Sequence, residues 1–169
     1  MKVINPVLPG FNPDPSLVRV GDDYYIATST FEWFPGICIH HSKDLVNWEI
    51  LSYALTDETK FDIKGMDTAC GIWAPNLTNG TFYLIYTIVY TNRHRFKDTH
   101  NFMVTATDPQ GPWSAPIPLN KMGFDPSLFH DPDGTKWLVN MLFDYRFDHK
   151  RFGGTAVRSK DPEAGRTDL

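Results

Sequence analysis

Two carboxylates occupy matching settings in this chain: Asp14 in Gly10-Phe-Asn-Pro-Asp-Pro-Ser16, and Asp125 in Gly123-Phe-Asp-Pro-Ser-Leu128. Aspartates that converge on one cavity can divide acid–base work, one accepting a proton while the other sets the field around it. Asp-Pro is also a common turn dipeptide, so the pair gains chemical meaning only if the fold makes the two positions equivalent. Aromatic residues gather near both: Phe11, Phe31-Glu-Trp33-Phe34, Ile72-Trp73 and Phe124. Rings beside carboxylates suit a sugar, whose C–H faces pack on them while its hydroxyls seek acceptors. Phe31 and Trp73 are therefore assigned to a binding site, together with Ala74 and Phe124. Most of the 12 Phe and 5 Trp are read as ordinary core.

Other chemistries find little support. His40 and His41 sit on successive strand positions, point to opposite faces and make no metal pair. Asp131-Pro-Asp-Gly134 begins like a calcium loop but lacks the later ligands, so a hairpin turn is expected there. No nucleophile elbow, phosphate loop or dinucleotide fingerprint occurs. Cys38 and Cys70 have neither metal-type spacing nor the pattern of a nucleophile, and are read as buried free thiols. No metal and no cofactor is expected.

The elements that must position the two aspartates emerge from an internal repeat. Asp14-Pro-Ser-Leu, Ala74-Pro-Asn-Leu and Asp125-Pro-Ser-Leu are each followed by a turn and an aromatic run. The prolines advance from 15 to 75 to 126. A second landmark, an aspartate closing a later strand, advances almost in step from Asp44 to Asp108 to Asp161. Each unit reads as four short strands, with turn signals at Gly21-Asp22, Asn79-Gly80 and Asp133-Gly134. Four strands repeated every 40–60 residues or so are the signature of a β-propeller. The units are expected at about 14–57 and 72–119, with a third starting near 123 and unfinished. In a propeller the first strands line the axis, which would bring Asp14, Ala74 and Asp125 around one pocket. The small Ala74 would leave room for a ligand.

Composition agrees with a folded all-β domain: 169 residues, 41% hydrophobic, 14% aromatic, with 13 Pro and 12 Gly scattered as punctuation. A net charge of −4 offers no basic field for nucleic acid. No stretch has the length or apolarity to span a bilayer or serve as a secretory leader, so a cytoplasmic location and no membrane partner are expected. The Asn76-Leu-Thr78 and Asn79-Gly-Thr81 acceptor patterns are read as turn residues.

Several long blocks carry a family resemblance: residues 10–16, 23–36, 39–48, 71–77 and 123–134. Over Asn5 to about Gly154 the chain resembles the bacterial β-xylosidases of glycoside hydrolase family 43. The resemblance implies inverting hydrolysis on a five-bladed β-propeller, often followed by a β-sandwich domain. It implies Asp14 as general base, Asp125 as the group that orients the sugar and tunes the general acid, and Phe31 and Trp73 as walls of the sugar site. The family's general acid belongs to a Glu-Gly-Pro segment of a fourth unit, and no Glu-Gly pair occurs in the 169 residues. The expectation is thus an incomplete five-bladed propeller, the N-terminal part of an enzyme that removes terminal β-1,4-linked xylose from xylo-oligosaccharides. Its remaining blades and sandwich would lie outside this chain, which alone would turn over little. Association with another copy, or with a complementary chain, would complete the ring. Two alternatives stand beside it: an α-L-arabinofuranosidase or arabinan-cleaving member, and a truncated propeller that binds carbohydrate without cleaving it.

Overall fold

The computed structural model describes residues 3–78, 80–92 and 97–142, and the backbone of Gly154–Ser159. Asp161 and the rest of the C-terminal stretch lie outside the described residues. Among the described residues every regular element is a strand, and every pairing is antiparallel. The first sheet holds β1 (Ser16–Val20), β2 (Asp23–Thr28), β3 (Gly36–Ser42) and β4 (Glu49–Leu55) in sequence order. The second holds β5 (Gly71–Thr78), β6 (Phe82–Thr91), β7 (Asp98–Ala106) and β8 (Ile117–Asn120), again in order. The third pairs β9 (Phe124–His130) with β10 (Lys136–Met141), and β10 with β11 (Gly154–Ser159).

The expected turns at Gly21-Asp22 and Asp133-Gly134 are where the sequence places them, because glycine supplies the positive φ that each hairpin needs, while Asn79 of the expected Asn79-Gly80 turn lies outside the described residues. Gly21 and Gly134 have φ of 61° and 86°. Asp131–Gly134 closes the β9–β10 hairpin, with Asp133 accepting the Thr135 amide. Asp44 and Asp108, the repeating landmark, each cap a turn just after a third strand. Asp44 accepts the Val46 and Asn47 amides, and Asp108 that of Gln110.

The second sheet is sandwiched, and this shapes its sequence. Leu84, Tyr86 and Ile88 face the first sheet in a core with Ala27, Ile37, Ile39 and Val104. Ile85 points the other way and packs with Met103 of its own sheet and with Leu138 and Leu128 of the third. A strand covered on both faces shows no apolar–polar alternation, so β6 reads as one apolar run.

Side chains also stitch successive sheets together at one repeat position. The Leu77 amide donates to Ser16 Oγ (3.0 Å), and the Leu128 amide donates to Asn76 Oδ1 (2.9 Å). Asn76–Thr78 is therefore not a turn, contrary to the sequence expectation. It is strand β5, and Asn76 holds the second sheet to the third. Both cysteines are buried, and neither forms a disulfide among the described residues.

Candidate active site

Asp14, Ala74 and Asp125 share one unusual backbone state. All three precede proline and have left-handed φ, at 51°, 42° and 51°. Side-chain crowding makes such a residue cost about 1–3 kcal/mol, so three occurrences at one repeat position mark a retained feature. The kink interrupts the ladder: β5–β6 register slips between Trp73 and Asn76, and the β9–β10 register slips beside Asp125. A regular strand would direct these side chains along the sheet's alternating faces. The kink frees them from that alternation.

Two glycines make the kinks possible. A Cβ on Gly71 would lie 2.2 Å from the Phe31 carbonyl oxygen, and one on Gly123 would lie 1.8 Å from that of Met141. Both also have positive φ. Below Gly123 lies a ladder of polar side chains: Thr87 donates to Asn101, Asn101 to Asn120 and to the Met122 carbonyl, and Asn140 to the same carbonyl. Asn101, Thr87 and Asn140 are buried. Buried amides keep a fixed position because an unmade bond there costs about 1–3 kcal/mol. This ladder fixes the turn that delivers Asp125.

The first two slots are joined by Ser29, which is buried at the end of β2. Its hydroxyl donates to Asp14 Oδ2 (2.7 Å) and accepts the Ala74 amide (2.7 Å). Phe31 continues the junction, exchanging two backbone hydrogen bonds with Ile72 (3.0 and 2.9 Å).

Aromatic rings form a continuous wall across the slots. Phe31 meets Trp73 edge-on at 6.0 Å, and Trp73 meets Phe124 edge-on at 6.1 Å. On the outer side Phe11 packs on Phe31 (5.5 Å) and on Trp33 (5.2 Å). The Trp73 indole is oriented by donating to the Ala69 carbonyl (2.9 Å). Phe124 is buried, Phe31 and Trp73 are half-buried, and Phe11 and Trp33 are exposed at the rim. Asp125 is exposed as a residue, but partial desolvation of its carboxyl pushes it above its ordinary value, and the negative charge of Asp14 adds to that shift. Asp125 thus feels the field of Asp14, 111 positions away in the chain.

Every residue assigned from sequence falls within this assembly: Asp14, Phe31, Trp73, Ala74, Phe124 and Asp125. Sequence reasoning missed Ser29 and the Asn101–Asn140 ladder. Ser29 carries no signal beyond a polar Thr28-Ser29-Thr30 run at the end of an apolar strand.

Successive antiparallel sheets that bring carboxylates and rings together at kinked first strands define an all-β, propeller-type protein. The chain belongs to the glycosyl hydrolases family 43, which it matches over residues 3–165. It is 55% identical over 98% of its length to a xylosidase/arabinosidase 43B of Humicola insolens, covering 31% of that protein. It is also 55% identical over 94% of its length to a beta-xylosidase of Bacillus subtilis, covering 30% of it. Among solved structures, a xylan beta-1,4-xylosidase from Bacillus halodurans superposes with a TM-score of 0.90 at 58% identity. That match covers 96% of this chain and 32% of the other. The chain therefore spans about a third of the length of these relatives.

Proposed function

We propose that this chain carries the base side of the active centre of an inverting exo-β-xylosidase acting on short xylo-oligosaccharides. The observation that carries the reading is the pairing of Asp14 and Asp125 on equivalent left-handed kinks, with the Phe31–Trp73–Phe124 wall alongside. Asp14 takes a proton from water as the water oxygen bonds the anomeric carbon. The glycosidic bond breaks on the opposite side, and its oxygen takes a proton from a carboxylic acid. Inversion asks for base and acid separated by roughly 6.5–9.5 Å, so that water fits between base and sugar. The acid is a glutamate of a further propeller unit, in the slot that follows Asp14, Ala74 and Asp125. Asp125 orients the sugar, and as a nearby negative charge it keeps the acid protonated near neutrality. Phe31, Trp73 and Phe124 pack against the sugar ring, with Ala74 giving clearance.

Names among the relatives support the xylosidase reading and keep a second one in view. One relative is called a xylosidase/arabinosidase, and another, 43% identical, is a non-reducing end alpha-L-arabinofuranosidase of Bacteroides ovatus. The test is a substrate panel of xylobiose, arabinobiose and linear arabinan on the ring-completed enzyme. Preferential xylobiose cleavage is expected, and Asp14→Ala should lower kcat by about 10²–10⁴-fold. The 169-residue chain alone should show a deficit of at least that size, since it lacks the general acid. Faster cleavage of the arabinosyl substrates would move the assignment to the second reading. Sugar binding by the completed protein with no cleavage would leave a binding module.

A further inference from the structure

Resting on that reading, we infer that Ser29 is a positioning residue that decides which oxygen of Asp14 does the chemistry. A serine hydroxyl has one proton to give and lone pairs to accept with. The Ala74 amide can only donate, so the 2.7 Å contact occupies Ser29 Oγ as an acceptor. Its single proton is thereby committed to Asp14 Oδ2, also at 2.7 Å. Asp14 accepts no other side-chain or backbone hydrogen bond among the described residues. Oδ2 is thus held and Oδ1 left open, so a proton taken from water lands on Oδ1. Full burial of Ser29, at 1% exposure, keeps solvent from competing for either bond. The Ser29 amide, donating to the Pro13 carbonyl at 3.0 Å, fixes the serine against the same kinked segment.

The bridge also has a geometric consequence. Asp14 belongs to the first unit and Ala74 to the second, and each is in a left-handed state before proline. One hydroxyl therefore sets the offset between the proposed base and the small residue that gives the sugar clearance. Hydroxyl geometry is what matters, so threonine should substitute and alanine should not.

Two measurements test this, one independent of activity. In the 169-residue chain, the Ser29 hydroxyl proton should exchange slowly enough to give its own NMR signal. The Ala74 amide should be protected, stay so in Ser29→Thr, and exchange at least about tenfold faster in Ser29→Ala. A rapidly exchanging Ser29 hydroxyl in the unsubstituted chain overturns the bridge, even if Ser29→Ala fails to fold. In the ring-completed enzyme, Ser29→Ala should lower kcat by about 10–100-fold, the range of a hydrogen bond to a charged group. KM should stay within about twofold, and Ser29→Thr should restore most of the rate. A loss confined to KM, or none, overturns the positioning role. If the NMR signatures hold while the unsubstituted enzyme cleaves no xyloside, the functional reading fails and the bridge stands.

Discussion

At the scale of single residues, the defining feature is an exposed aspartate whose carboxyl is partly desolvated and faces a like charge. Partial desolvation and the field of Asp14 both raise the Asp125 carboxyl above its ordinary value. Below about pH 3.9, the ordinary aspartate value, the group is neutral in the folded and unfolded chain and costs nothing. As pH rises past that value the unfolded chain ionises first, so stability falls until the raised folded value is passed. Asp125→Asn, which keeps the shape and removes the charge, should therefore raise Tm at pH 7, with the gain shrinking to nothing near pH 3. Thermal melts of both proteins across that range would show it. A gain that grows on acidification would contradict the origin given for the shift.

At the scale of elements, the site depends on close approach at the sheet kinks. Gly123 and Gly134 both have positive φ, but a Cβ at Gly123 would strike the Met141 carbonyl while one at Gly134 meets nothing within 4 Å. An alanine forced into the left-handed region costs about 1–2 kcal/mol by itself. Gly134→Ala should cost no more than that. Gly123→Ala should cost clearly more, because β10 backbone has to move, and it should disturb the segment carrying Asp125. Denaturant melts would separate the two, and equal losses would show that the close packing at Gly123 is not what holds the kink.

At the scale of the molecule, the sheets are related by one rule: the position of Ser16 and Asn76 looks toward the next sheet and binds its backbone. Ser127 holds that position in the third sheet and is exposed. It shares a face with Phe129, 57% exposed, and with Val139, 41% exposed. Leu17 and Ile50 are similarly exposed on the first sheet. Apolar sheet faces of this kind favour association. Light scattering of the 169-residue chain should show mass rising with concentration, and Phe129→Glu should shift it toward monomer. A monodisperse monomer at every concentration would count against a ring completed by another sheet.

The all-β class and the succession of short strands and turns could be read from sequence because each rests on local chemistry, and the six assigned residues fall in one assembly. Gly-Asp and Asp-Gly turns, apolar runs of strand length and recurring X-Pro-x-Leu blocks act over a few residues, and repetition makes them add up. The role of Asn76 was misread for the same reason, since its local pattern resembles a turn while its partner, Leu128, lies in another sheet. Only the tertiary structure decided that Ser29 ties Asp14 to Ala74, and that buried amides hold the turn before Asp125. Those contacts join residues 15 to 45 positions apart in the chain. A hydroxyl or amide carries no sequence mark of the partner that packing will bring to it.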